Sequence, residues 1–251
     1  APATTGVGPG GPAGAPAGAP ASGTGPTVPP PAGGPAATAA AGGGGAASVG
    51  PASPAPPTAG TYRYATQGQS TIGATVLPFP AVTTLVIDPA SGTRQRAVRD
   101  LRSGGTGPVF EYVLDYRPEG IHLVSLSATT SFLLFAQREE LRPPSPLLLV
   151  PAGAAAGARR EADVPTASGA TARLAVEVRG PATVTAGGRS LATTVVHLTA
   201  TLAGELASRI DQTVWLADGT GVWARERLVA EATAPTGEVA FRSEYTATLQ
   251  E

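Results

Sequence analysis

A chain of 251 residues with a net charge of -1 and 14% charged residues is long enough for one domain with a real core. It contains no Cys, which excludes disulfides, thiolate metal sites and cysteine nucleophiles, and its near-neutral balance argues against an electrostatic nucleic-acid footprint. No run of about 18 apolar residues occurs, so no helical membrane span is expected.

All 17 basic residues are Arg, and Lys, Asn and Met are absent; loss of residue types with AT-rich codons points to a GC-rich, bacterial genome. Ala1-Pro-Ala-Thr-Thr reads as the start of a mature exported chain. The first charge is Arg63, and before it Ala, Gly and Pro dominate, as in Gly42-Gly-Gly-Gly45. Such residues offer too little area to offset their chain entropy, so 1–60 is expected to be a disordered linker with a reach of roughly 40 Å. Gly6-Val-Gly-Pro-Gly-Gly11 fits a dinucleotide-binding pattern, but no strand precedes it and Pro9 interrupts it.

From Thr61 the texture becomes β. Thr61 to Gln67 alternates, with Tyr62 and Tyr64 on one face and Arg63 on the other; Val82 to Asp88 follows. Thr93 to Leu101 reads as a charged strand with Gln95, Ala97 and Arg99 on one face. Val109–Tyr116 and Ile121–Leu126 flank Arg117-Pro-Glu-Gly120, a hairpin signal. Ser131-Phe-Leu-Leu-Phe-Ala136 is continuously apolar and reads as one strand covered on both faces or lining an apolar cavity. Leu147-Leu-Leu-Val150 ends at Pro151, and Ala152 to Gly157 is the expected joint between halves 61–151 and 152–251.

The last eighty residues alternate most cleanly. Leu174, Val176 and Val178 oppose Arg173, Glu177 and Arg179; Phe241, Tyr245 and Leu249 oppose Arg242, Glu244 and Thr246. One dry and one wet face is the mark of an antiparallel sheet. Ten to twelve strands and no capped helical period predict an all-β domain over 61–251, an up-and-down barrel, half-barrel or sandwich.

The search for chemistry yields little. His122 and His197 are the two histidines, and neither has a His, Asp or Glu at i±2. Glu139 and Glu140 are adjacent and point to opposite faces of a strand. No Gly-x-Ser-x-Gly elbow occurs. Trp215 and Trp223 lie on opposite arms of one hairpin: they either stack across strands, or Trp215 seals the core while Trp223 faces Arg225 and Arg227. Arg225-Glu226-Arg227 reads as a solvated face.

The stretch Trp215-Leu-Ala-Asp-Gly-Thr-Gly-Val-Trp-Ala-Arg-Glu226 resembles the closing hairpin of exported bacterial β-rich proteins of the DUF3108 type. Leu147 through Gly157 is similar to the segment before their C-terminal meander, with Ala158-Arg159-Arg160 where those families carry an aromatic. The chain from 61 onward is also similar to actinobacterial surface proteins and lipoproteins with low-complexity tails. The resemblance implies a strongly curved antiparallel sheet, a half-barrel or open barrel shaped like LolA-like and LppX-like carriers, and transfers no catalytic residue.

Two readings of function stay open. In the first, a non-enzymatic cell-envelope protein binds a lipid or other apolar ligand on a concave face built from Phe132, Leu134, Leu198, Trp215 and Phe241. In the second, an extracytoplasmic interaction or scaffold domain has a filled core. A hydrolase ranks last. No cofactor, metal or nucleic-acid partner is expected, and any peripheral membrane association would come through an upstream anchor.

Overall fold

The computed structural model describes residues 54–132, 135–166, 169–202, 207–233 and 239–250; the linker expected at 1–60 lies outside the described residues up to position 53. Among the described residues there are fourteen β-strands and no helix. They are β1 (Gly60–Ile72), β2 (Thr75–Pro78), β3 (Val82–Ile87), β4 (Arg94–Asp100), β5 (Gly107–Arg117), β6 (Gly120–Phe132), β7 (Phe135–Leu141), β8 (Leu147–Pro151), β9 (Arg159–Pro165), β10 (Thr171–Ala186), β11 (Arg189–Leu202), β12 (Ala207–Ala217), β13 (Trp223–Thr233) and β14 (Val239–Leu249).

Two meanders make one wall, in the order β7-β6-β5-β4-β3-β1-β14-β13-β12-β11-β10-β9. The chain ends join them: β1 pairs with β14 from Tyr64↔Leu249 to Ile72↔Phe241. The two outer strands meet at an antiparallel bridge, Leu141↔Thr166, so the twelve-strand wall is nearly closed into a barrel. This is the all-β, strongly curved antiparallel sheet expected from the two-residue period. Bulges at Val178/Gly180 and Trp215/Leu216 bend the longer strands.

Alternation decides which side is dry. In β10 the inward set Ala172, Leu174, Val176 and Val178 is buried, while Arg173 is exposed. The outer face carries charges: register places Asp163, Arg173, Thr201, Arg209, Glu231 and Arg242 in one lateral row toward the far ends of their strands. Arg159 and Arg173 both bond Glu161 at 2.6 Å, and Arg242 pairs with Glu231 and Glu244. An apolar interior within a charged wall is the reverse of a lipid-spanning barrel.

Two partial strands shape the ends. The first half of β6 pairs with β8 (Gly120↔Pro151 to Leu123↔Leu147) and its second half with β7. Gly120 sits at φ +144°, and a side chain there would meet the Val150 carbonyl at 2.2 Å, so only glycine lets β8 lie this close. Topology puts the β5–β6 turn, the β10–β11 tip and the β12–β13 turn at one end of the barrel, here the near end. The β1–β2 and β4–β5 turns lie at the far end.

Three sequence expectations are corrected. Ser131–Ala136 is not one strand: β6 ends at Phe132, β7 begins at Phe135, and these two residues are opposite each other. Glu226 is not on a solvated face, since it has 0% exposure, although Arg225 and Arg227 beside it are exposed. The tryptophans are not cross-strand partners, and their roles are the reverse of the alternative in which Trp215 seals the core. Trp223 is in the core, edge-on to Tyr112 at 5.0 Å, and Trp215 lies half-buried under Arg225 at 5.2 Å. The extra residue in β13 between Trp223 and Arg225 turns Trp223 inward, while Trp215 follows the ordinary alternation of β12.

Candidate binding interior of the barrel

A polar layer crosses the middle of the barrel. Arg99 comes from the inward register of β4, Tyr112 from β5, Gln212 from β12, Glu226 from β13 and Tyr245 from β14. Arg99 Nε donates to Glu226 Oε2 at 3.0 Å, and Nη2 lies 2.9 Å from the same oxygen, off the hydrogen-bond axis. The other carboxylate oxygen accepts from Gln212 Nε2 and Tyr245 Oη, each at 2.7 Å. Gln212 also donates to Tyr112 Oη at 3.0 Å, and Tyr64 donates to the Trp223 carbonyl at 2.7 Å. The guanidinium stacks 3.8 Å from the Tyr64 ring centre.

Burial works against each charge here, and the partners decide the outcome. For Arg99, burial lowers the pKa, but Glu226 and the surrounding phenols more than offset it, so the side chain stays cationic. Burial first, then the Glu226 charge, pushes the phenols of Tyr112 and Tyr245 far above their ordinary value. The layer therefore holds one positive and one negative charge, matched to each other.

On the near side of this layer lies an apolar cleft of about 70 Å³. One wall is Leu114, Tyr116, Ile121, Leu123 and Leu126; the other is Val176, Val196, Leu198, Val214 and Leu216. Leu149 and Val150 of β8 cover it, and Tyr112, Gln212 and Trp223 form the floor. All five residues of β8 are half-buried.

Residues 54–59 cross the near end. The Pro57 carbonyl accepts from buried Gln95 Nε2 at 2.8 Å, and Tyr62 Oη donates to the Thr58 carbonyl at 2.7 Å. A side chain added at Gly221 would meet the Ala55 carbonyl at 3.3 Å and the Pro57 ring at 3.5 Å. β4 and the β12–β13 turn are separated in the wall by β3, β1 and β14, yet both touch Pro57. This residue thus lies across the mouth of the barrel rather than along its wall.

At the far end is a second pocket, of about 200 Å³, between the start of β5 and β14. Its walls include Ile72, Leu77, Phe79, Leu101 and Phe241, with Ser103, Thr106, Thr130 and Ser131 around them. A shallow depression of about 520 Å³ on the outer face lies among Asp163, Arg173, Arg209 and Glu231.

The residues expected to form one concave site are distributed. Leu198 lines the near-end cleft and Phe241 the far-end pocket. Trp215 belongs to a satellite cluster with Val184, Ala186, Ala217 and Ala224. Phe132 closes β6, and Leu134 lies outside the described residues, as does the side chain of Phe132. Sequence reasoning missed Arg99 and Glu226, although a signal existed. Arg99 shares parity with Ala97 and Leu101, and Glu226 shares parity with Leu228 and Ala230.

The histidines are engaged or enclosed. Arg179 can only donate, so His197 Nδ1 accepts from it at 2.7 Å and Nε2–H is left to donate to Asp211 Oδ1 at 3.0 Å. Neither nitrogen keeps a free lone pair. His122 is buried, with Nε2 3.8 Å from Glu119. Among the described residues no group of three or more His, Cys, Asp or Glu is placed to hold a metal ion.

No protein-family model matches the chain, and no match to a curated protein was found. Among solved structures it is similar to the crystal structure of the hypothetical lipoprotein YmcC from Escherichia coli (K12). The two share 14% identity over 79% of this chain and 90% of that chain, with a TM-score of 0.35.

Proposed function

We propose that this is a non-enzymatic cell-envelope protein whose barrel holds an apolar group in the near-end cleft, with residues 1–53 serving as its tether. The observation that carries this reading is the cleft itself, whose two walls are aliphatic and aromatic and whose cover, β8, is held to the barrel wall by β6 alone among the ladder pairings. Burying an apolar group there gains about 25 cal/mol per Å² without requiring polar partners. The Ala/Gly/Pro composition ahead of Arg63 supports the tether.

Volume limits the ligand. A dry cavity of roughly 150 Å³ accepts benzene, so about 70 Å³ admits the end of an acyl chain or one aliphatic branch. A whole chain enters only if β8 moves outward. The competing reading, an interaction module with a filled core, is favoured by the same small volume and by the polar layer that blocks the barrel below the cleft.

Titration of the delipidated full chain with a fluorescent fatty acid separates the two. Saturable uptake that is lost in Leu198→Asp is expected for the apolar-group reading. Absence of uptake by the wild-type chain would leave the filled-core module standing.

A further inference from the structure

We propose that the far-end pocket binds an uncharged, hydroxylated ring, the chemistry of a single sugar residue. The polar layer stands between this pocket and the near-end cleft, so the proposal does not depend on what the cleft binds.

Register explains how the pocket is built. Gly107↔Ser131 and Pro108↔Thr130 bring the start of β5 against the end of β6, and Ile72↔Phe241 closes the opposite wall. The break between β2 and β3 turns Phe79 inward, where it meets Tyr245 edge-on at 5.8 Å and 80°. The aromatic wall is therefore held before any ligand arrives.

The lining decides the ligand class by elimination. Among the described residues it contains no charged side chain; nearby Arg102 is bound to Asp100 by bonds of 2.5–3.2 Å. A carboxylate or phosphate would lose its hydration here without a counter-charge, at a cost the pocket does not offset. A purely apolar ligand fails for the opposite reason. The side-chain hydroxyls of Ser103, Thr106 and Thr130 hydrogen-bond no other described residue, so such a ligand would strip their water and return nothing. Ser70 differs, since its hydroxyl is already bonded to that of Ser243.

What satisfies both walls is a ring with C–H faces for Phe79 and Phe241 and hydroxyls at its edge for the Ser/Thr set. The volume, about 200 Å³, is below the range of about 300–1,000 Å³ usual for drug-sized ligands, so it fits one ring with the remainder outside the mouth. A ligand this small binds weakly, in the millimolar range. The ring can come from a free saccharide or from the headgroup of a glycolipid.

Saturation-transfer NMR on the full chain, with the methyl glycosides of glucose, galactose, mannose and arabinose at millimolar concentration, tests this. Transfer to ring protons of at least one glycoside is expected, with amide shifts confined to 103–108, 130–131 and 241. Phe241→Ala and Thr130→Val should each weaken binding, the former about tenfold, while Arg227→Ala on the exposed outer wall should leave it unchanged. Near-UV circular dichroism verifies that each variant is folded.

If the glycosides give no signal, vesicles of phosphatidylcholine with and without a galactolipid are co-sedimented with the chain. Galactolipid-dependent capture that Phe241→Ala abolishes assigns the ring to a lipid headgroup. No transfer from any glycoside together with no galactolipid-dependent capture overturns the proposal, as do amide shifts that map to the cleft.

Discussion

Arg99 on β4 and Glu226 on β13, 127 residues apart, form an ion pair 2.9 Å long in which both side chains have 0% exposure. It joins the two meanders across the barrel, and Tyr112–Gln212 repeats the link between β5 and β12. A buried pair of this kind specifies how the halves dock more than it stabilises them, because desolvation cancels much of the attraction.

The first prediction separates these effects. Arg99→Met or Glu226→Leu alone leaves an unmatched buried charge and is expected to destabilise the fold by about 3–5 kcal/mol. The double variant should recover most of that loss. Urea denaturation of the four proteins measures the cycle. A double variant as unstable as the sum of the singles would show zero coupling between the two side chains and would contradict the assigned pair.

Acid sensitivity should depend on Asp115. Buried beside β4, it accepts from Thr93 Oγ1 at 2.5 Å and Arg117 Nη2 at 2.8 Å. The Thr93 hydrogen bond first, then Arg117, holds its pKa below the ordinary carboxylate value against the opposing effect of burial. A depressed folded pKa contributes stability that is complete above the unfolded value, near 3.9, and is lost as pH falls through the folded one. Urea midpoints measured across this acid range should fall less steeply for Asp115→Asn than for the wild type.

The tryptophans should differ in both energy and spectrum. Trp223→Ala empties a core position and is expected to cost about 3–5 kcal/mol; Trp215→Ala loses a half-exposed stack on Arg225, about 1 kcal/mol. In Trp215→Phe the remaining indole should resist acrylamide quenching, and in Trp223→Phe it should not. Equal quenching in the two variants would contradict the assigned sides of the hairpin.

The crossing segment at the near end can be released from two sites. Gln95→Leu leaves the carbonyls of Pro57 and Asp88 without their donor, at a cost of about 1–3 kcal/mol. Gly221→Val forces a branched residue into φ +65° and presses on the Ala55 carbonyl, with a penalty of about 1–3 kcal/mol. Both should speed proteinase K cleavage within 54–59, read by mass spectrometry, without speeding cleavage inside β10–β14.

Much of the wall could be read before any coordinates. Period-two alternation placed Leu174, Val176 and Val178 on the dry side and Arg173 on the wet one, and the turn at Arg117–Gly120 joined β5 to β6 as expected. The site was far less legible. Alternation sorts residues by class, so a lone Arg or Glu on an apolar face looks like an exposed neighbour's companion until its partner is seen. Leu198 and Phe241 both read as inward, but nothing local said that a polar layer would put them in different pockets.

By itself, the chain's order of residues determined the strand faces, the antiparallel class and the apolar character of the interior, because each depends on neighbours two positions away. Only the tertiary structure decided which strands close the ring, which tryptophan enters the core, and that Arg99 meets Glu226. Those outcomes depend on register and on contacts more than a hundred residues apart, where a one-residue bulge reverses which way a side chain points.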